Sequence, residues 1–442
     1  MLEYPLKLKS LFIYENESVG VVGSLEDHFF ARTTDIMRDF LKVCEGLREE
    51  ELQSYLVKKY SPNIIKAFMK KLKDYDNYFF AKDNKESAKF DFNRKITVLT
   101  LNISRSCNMK CGYCVNEIEF LKAPGMMDKA TALKAVEFFL GQLGEESGKI
   151  IFTGGEPLLN FDVLKEVTEY INKTDLRKRI SFVLKTNGTL LSEDIIDFVV
   201  GNDFEVRISI DGDKAVHDCH RVFEDGSGSF DSVINPVFDI IDKGYGHRVI
   251  LEAVVTHDTV KYIRESHNFL KNIKNINSFR IRPAAVKEES SYRLSEDDET
   301  AYAKYLNSLA REVYASGSGN YSNNIEAVNI CGIGVWNVSV DIDGSIYPCY
   351  RLSGLDGFKM GSIADKRYSL SIPEELYNIY ETMFSNACNG CYSNIFCRNG
   401  CFTAKLLNAH QGKCSNFEKK FSDYMLVENL VNSGAYNLLP VI

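Results

Sequence analysis

No apolar run in this 442-residue chain approaches the roughly 20 residues that span a bilayer, so no membrane partner is expected. Positive charge is not in excess either. Lys and Arg number 53 against 61 Asp and Glu, a net of −8, which argues against non-specific nucleic-acid binding. The opening residues, Met1-Leu-Glu-Tyr-Pro-Leu-Lys, lack the charged and apolar regions of a signal peptide. A cytoplasmic location is expected. What remains is ordinary folded-protein composition, 45% hydrophobic and 26% charged, at a length that predicts two or three domains.

Cysteine is the exception, with 12 copies. In a large chain without a secretion signal they point to metal rather than disulfides. Cys44 and Cys219 stand alone and are expected to be small buried hydrophobes. The other ten fall at 107–114, 331–349 and 388–414.

Residues 1–85 form a separate small unit. Strand-like runs at 6–14 and 19–22 flank a polar turn. Ile36, Met37, Phe40, Leu41 and Cys44 then recur at helical spacing. A second helix carries Leu52, Tyr55 and Leu56. A third opens at Ser61-Pro62, an N-cap followed by proline, and runs through Ile65, Phe68, Met69 and Leu72. Tyr78-Phe-Phe80 could return as a strand, and residues 82–89 resemble a linker. The unit is winged-helix-like.

Residues 95–285 alternate strand and helix, the signature of a parallel sheet. Strands are expected at 96–103, 149–153, 180–185, 205–210, 249–255 and 279–281. Helices are expected at 129–143, 161–172, 192–200, 232–243 and 260–270. In the first helix Ala130, Leu133, Val136, Phe139 and Leu140 make the buried stripe. Six repeats predict a partial (β/α)6 barrel. Residues 286–330 form a bridging region with a helix near 297–315. Residues 331–442 show little periodicity before a helix at 417–431 and are expected to fold around metal.

The first strand leads into Cys107-Asn-Met-Lys-Cys111-Gly-Tyr-Cys114. This spacing supplies three thiolates where a cubic iron–sulfur cluster has four irons, leaving one iron open to a ligand. Unusual groups also end the next strands: Gly154-Gly-Glu-Pro157, Lys185-Thr-Asn-Gly188 and Ser209-Ile-Asp-Gly212. Ligands in parallel α/β architectures bind at that edge. The two glycines allow close backbone approach and N–H donation to a ligand, and Glu156 can accept from an ammonium. Alone, this motif is equally a bare turn before a helix.

Together the cysteine run and the glycine motif resemble the radical S-adenosylmethionine (radical SAM) superfamily over residues 95–285. The resemblance implies a [4Fe–4S] cluster on Cys107, Cys111 and Cys114 whose open iron chelates SAM. Electron transfer then cleaves the sulfonium to a 5′-deoxyadenosyl radical. It further implies that Gly154, Gly155 and Glu156 meet the methionyl ammonium and that Tyr113 lies by the adenine. Thr186, Asn187, Ser209 and Asp211 would contact ribose and carboxylate. His217-Asp218-x2-Arg221 also resembles a pattern of this family, and is equally a surface salt-bridge cluster.

The distal cysteines run Cys331, Cys349, Cys388-x2-Cys391-x5-Cys397-x3-Cys401 and Cys414. A paired CxxC elsewhere would suggest zinc. Here the whole pattern resembles the SPASM extension of radical SAM enzymes, which implies two auxiliary [4Fe–4S] clusters and three in all. By the family's ligation, Cys388, Cys391, Cys397 and Cys414 hold one, and Cys331, Cys349 and Cys401 the other. Residues 323–330 lack the fourth cysteine of some members, which leaves an iron for a substrate thiolate, a water or a distant side chain. Sulfatase-maturing enzymes place a functional aspartate after the cysteine matching Cys349; this chain has Tyr350.

That run looks closer to the thioether-forming maturases of ribosomal peptides, the sactipeptide and ranthipeptide enzymes. The resemblance implies a peptide-modifying radical SAM oxidoreductase whose N-terminal unit, PqqD-like, binds a leader peptide as an added strand. A precursor peptide and a reductant such as flavodoxin or ferredoxin are the implied partners. Other peptide modifications (a carbon–carbon crosslink, epimerisation, formylglycine formation) remain open. So do a non-catalytic iron–sulfur electron carrier and a zinc-structured DNA-binding regulator.

Overall fold

A computed structural model describes residues 12–15, 20–24, 29–44, 48–74, 95–114, 123–286, 289–295, 297–302, 304–305, 308, 332–365 and 370–378. In the first part, strands β1 (Phe12–Glu15), β2 (Gly20–Ser24) and β3 (Phe29–Arg32) form an antiparallel sheet in that order. Helix α1 (Asp35–Leu41) starts where the Met37 N–H donates to the Thr34 hydroxyl at 3.4 Å, a side-chain cap. Helices α2 (Glu49–Leu56) and α3 (Pro62–Asp74) follow. Val22, Ala31, Met37, Phe40, Leu52, Leu56, Phe68 and Leu72 are among the residues of one buried core. Cys44 belongs to it and is fully buried, the small hydrophobe expected. Strand β3 had no signal in the sequence reading. The strand expected at Tyr78–Phe80 lies outside the described residues.

The larger part is one sheet of nine strands. Its parallel segment is β4 (Val98–Ser104), β5 (Gly148–Gly154), β6 (Ile180–Thr186), β7 (Phe204–Ser209), β8 (Val249–Val255) and β9 (Ser278–Pro283). The helices between them are α4 (Lys129–Leu143), α5 (Phe161–Asn172), α6 (Glu193–Gly201), the single turn α7 (Lys214–His217), α8 (Phe230–Asp242) and α9 (Ile263–Asn272). Three further strands, β10 (Asn337–Val340), β11 (Ser345–Tyr347) and β12 (Gly361–Ser362), complete the order β12-β11-β10-β4-β5-β6-β7-β8-β9.

Alternation along the strands sorts the two faces. Leu99 and Leu101, Phe152, Phe182 and Leu184, Phe204 and Val206, and Leu251 enter one core with the buried faces of α4, α5, α6, α8 and α9. Phe182 stacks on Phe204 at 5.0 Å between ring centroids. The opposite, inner face carries polar side chains such as Asn102, Thr153, Lys185, Arg207 and Glu252. A parallel sheet is ordinarily covered on both faces; here the helix core takes one, and residues 350–353 lie against part of the other, where Asn102 bonds Ser353.

Two expectations change. In α4 the buried stripe is Ala132, Ala135, Val136, Phe138, Phe139 and Leu143, while Ala130 is exposed. Neighbouring alanines compete for the core face, and size alone did not rank them. More consequential, residues 332–363 join the barrel sheet and share its core. β10 pairs parallel with β4, and Val338, Val340, Ile346, Met360 and Ile363 join the barrel core. The helix expected at 297–315 is described only in part, and that at 417–431 lies outside the described residues.

Candidate active site

β4 ends at Ser104, and the chain turns into the loop that carries Cys107, Cys111 and Cys114, all half-buried. The loop is clamped by the segment after α7. The Lys110 N–H donates to the Val222 carbonyl at 2.8 Å and the Gly112 N–H to the His220 carbonyl at 3.1 Å. Gly112 sits close under Tyr292: a Cβ there would lie 2.5 Å from the Tyr292 hydroxyl, which would have to shift. Burial pushes the Cys107 thiol up to about 12 and the Cys111 thiol up to about 11, the latter opposed by the Arg221 guanidinium beside it. Thiols so placed are neutral at neutral pH and become thiolates on binding a metal.

The glycine turn is locked against this loop. Gly154 has φ of +148°, and a Cβ on it would sit 2.2 Å from the Ser104 carbonyl oxygen. The Gly155 N–H donates to that carbonyl at 2.8 Å and the Glu156 N–H to the Ser106 carbonyl at 2.9 Å. These N–H groups therefore hold the cysteine loop, where the sequence reading offered them to a ligand. Glu156 is likewise internal. Its fully buried carboxylate accepts from the Leu158 N–H at 3.1 Å, the Thr186 hydroxyl at 2.7 Å and the Asn187 N–H at 2.7 Å. Burial raises its pKa to about 7. Its side chain ties the end of β5 to the end of β6.

Asn187 extends from that tie to the first cysteine, its amide 2.9 Å from the Asn108 side-chain oxygen and 3.8 Å from the Cys107 sulfur. On the far side Asp211 accepts from the Tyr113 hydroxyl and the Val254 N–H at 2.8 Å, and forms an ion pair with the Arg221 guanidinium at 3.0 Å. Arg221 also lies over the Tyr113 ring, 5.4 Å from its centroid. Tyr113 and Asp211 are thus bonded to each other, and the tie anchors the third-cysteine end of the loop to the end of β7. The motif around His217 is buried, not a surface salt-bridge cluster. The Asp211 N–H donates to His217 Nδ1 at 3.4 Å, which leaves the proton on Nε2, 2.9 Å from the Ser229 hydroxyl. Ser209 ends β7 on the inner face, in register with Glu252.

Cys349 is the one distal cysteine among the described residues. It follows β11 and is brought to the β4 end by the Asn102 amide, which donates to the Ser353 hydroxyl at 2.7 Å. Arg105 and Asp341 pair at 2.5 Å alongside. Cys331, Cys388, Cys391, Cys397, Cys401 and Cys414 lie outside the described residues. Cys219 is exposed, not buried as expected. Asn102, Arg105, Asp341 and Tyr292 position the site without any motif that could have flagged them.

Among the described residues no three His, Cys, Asp or Glu converge on a single metal ion. Three thiolates that each serve a different iron need no such convergence, and their placement on one clamped, half-buried loop fits a cubic cluster.

Residues 101–270 match the family described as the radical SAM superfamily. The chain is 26% identical over 365 residues to a cysteine-type anaerobic sulfatase-maturating enzyme of Clostridium novyi, covering 74% of this chain and 95% of that relative. Its fold is similar to that of native anSMEcpe with bound AdoMet and Cp18Cys peptide. That similarity has a TM-score of 0.64 at 23% identity and covers 77% of this chain and 99% of the other. It is also similar to SuiB of Streptococcus suis bound to precursor peptide SuiA, with a TM-score of 0.51 at 15% identity over 91% of this chain and 96% of the other. The clamped cysteine loop and the strand-end ties thus lie within the stretch that matches the radical SAM superfamily, in a chain similar to anaerobic sulfatase-maturating enzymes.

Proposed function

We propose that this protein is a radical SAM peptide maturase that joins a cysteine sulfur to a carbon of a ribosomally made precursor peptide. Cys107, Cys111 and Cys114 hold the SAM-binding [4Fe–4S] cluster, and SAM lies over the ends of β4 to β7. Bound there, the cluster and SAM supply a 5′-deoxyadenosyl radical that takes hydrogen from a substrate carbon. The chain's own residues fix that geometry: Glu156 and Asn187 hold the first cysteine, Arg221 and His220 the second and third. Cys349, with Cys331 and Cys401, would hold an auxiliary cluster with an iron open to substrate sulfur. A second auxiliary cluster falls to Cys388, Cys391, Cys397 and Cys414.

Tyr350 is the observation that favours thioether formation over formylglycine formation. It stands directly after Cys349, where a base would be required to deprotonate a substrate side chain. Its ring instead lies 5.1 Å from the Lys185 ammonium, and Arg351 Nε donates to its hydroxyl at 3.1 Å. A thiol bound to iron loses its proton without a side-chain base. The SuiB likeness, which reaches 91% of this chain, supports a maturase with an N-terminal peptide-binding unit.

The test is a search beside the gene for a short cysteine-bearing reading frame, followed by anaerobic co-expression with that peptide. The modified peptide should lack two hydrogens and resist alkylation at the crosslinked cysteine. Replacing Cys107, Cys111 and Cys114 by Ala should abolish both this product and 5′-deoxyadenosine. An aldehyde that reacts with hydrazide would show formylglycine formation and overturn the thioether assignment.

A further inference from the structure

The inner face of β6 to β9 carries a charge pattern that the SAM site does not use. Lys185 on β6 and Arg207 on β7 are register partners, side by side on adjacent strands. On β9, Phe279 and Ile281 pack toward the helix core, which turns Arg280 and Arg282 to the inner face. Arg280 is the register partner of Glu252, and Arg282 of Val254. Those four strands therefore bring four cations and two carboxylates, Glu205 and Glu252, to one face.

The carboxylates do not balance the cations. Glu205 is taken by Arg207 at 2.5 Å, and Glu252 reaches Arg280 only at 3.8 Å. Among the described residues, no carboxylate pairs with Arg282, which is exposed, or with Lys185, which rests against Tyr350. Burial and the neighbouring Arg207 and Arg282 charges weaken Arg280's hold on its proton. Like charges gathered on adjacent strands are destabilising unless an anion joins them.

Position gives the row its meaning. Lys185 and Arg207 each lie two residues before the polar group at their strand end, Asn187 and Ser209. They sit about 7 Å below the SAM-binding edge at the strand rise. Guanidinium forks match carboxylates in a bidentate way that lysine cannot.

Resting on the peptide reading above, we propose that Lys185, Arg207, Arg280 and Arg282 form a specificity site for an acidic side chain, Asp or Glu, of the substrate peptide near its reacting residue. An unmodified ribosomal peptide offers carboxylate as its only side-chain anion at neutral pH, so carboxylate is the chemistry the site selects.

The experiment uses the full-length, cluster-loaded protein at saturating SAM. The probes are the fluorescein-labelled peptide Ser-Gly-Cys-Gly-Glu-Gly-Ser and its counterparts with Gln or Lys in place of Glu, followed by fluorescence anisotropy. The Glu peptide should bind about ten-fold more tightly than the Gln peptide, the usual worth of a charge-assisted pair. Raising salt should shrink that preference. Arg282→Gln should cut it to about three-fold or less, and Arg282→Glu should turn it toward the Lys peptide. Because Arg282 is exposed, these variants do not threaten the core; Arg280→Gln provides a second, more buried reading of the same preference.

Failure of the Glu peptide to bind, equal binding of Glu and Gln, or a preference untouched by the Arg280 and Arg282 variants would overturn the site. So would a fall in SAM affinity in Arg282→Gln without a change in peptide preference, since the cations would then serve the SAM carboxylate. The same preparation is assayed for 5′-deoxyadenosine after reduction. Carboxylate preference without that product would refute the radical maturase reading and leave the acidic-ligand site standing; product without preference would do the reverse.

Discussion

His217 is buried without a charge, and its environment sets the sign of its pH dependence. Burial and the neighbouring Arg221 hold its pKa down to about 4, against about 6.5 for a free histidine. Above about pH 6.5 neither the folded nor the unfolded chain protonates it, and its contribution to stability is complete. As pH falls from there toward 4, the unfolded chain takes up the proton and the folded one does not. Stability is lost, by up to about 3 kcal/mol. His217→Asn can keep an acceptor for the Asp211 N–H without the titration. Anaerobic melting curves between about pH 7 and pH 5 should therefore show a steeper loss for the wild type than for His217→Asn. Parallel slopes would mean that His217 is protonated in the folded protein. Glu156 opposes this trend, since its raised pKa removes stability as pH rises, but it acts alike in both proteins and cancels in the comparison.

At the scale of elements, the joint between β4 and β10 brings the distal segment to the cysteine loop. Arg105 follows β4 and Asp341 follows β10, and the Asp341 side chain is fully buried. Arg105→Ala would strand that carboxylate and should cost about 3 kcal/mol in chemical denaturation. Adding Asp341→Leu should recover part of the loss, because the stranded charge is gone. An Arg105→Ala protein as stable as the wild type would show that Asp341 has another partner. This joint also marks where the sequence stops being legible. β8 lies at 249–255 as expected, and β4 to β7 and β9 fall within two residues of their expected ends, because strands of six or seven residues beside a periodic helix carry a strong signal. β10, β11 and β12 have four, three and two residues, too few for alternation to register. β10 pairs with β4, more than two hundred residues away in the chain, and β11 and β12 follow it, so no local rule could have joined them to the barrel. The site divides in the same way. Three cysteines and a double glycine follow from spacing, whereas the Gly112–Tyr292 contact and the Asn102–Ser353 bond arise only when distant segments meet.

Over the whole molecule, the N-terminal unit has a hydrophobic core of its own, separate from that of the barrel. Separate cores permit separate tasks: in the function proposed above, the barrel does the chemistry and the N-terminal unit captures the leader of the substrate. Under the proposed function, leader capture makes the encounter between the reacting segment and the active site intramolecular. Effective concentrations of that kind raise apparent affinity by about 10²–10⁴-fold without any new contact at the reacting residues. Removing residues 1–94 should therefore leave reductive SAM cleavage close to that of the full chain. Peptide modification at low micromolar substrate should fall by about 100-fold or more, and millimolar peptide should recover much of it. The measurement is 5′-deoxyadenosine by chromatography alongside crosslinked peptide by mass spectrometry, in the truncated and full proteins. Equal peptide modification by both would remove leader capture from the N-terminal unit. Loss of 5′-deoxyadenosine together with the crosslink would show instead that the unit supports the barrel itself, because a leader-binding element has no contact with the SAM chemistry.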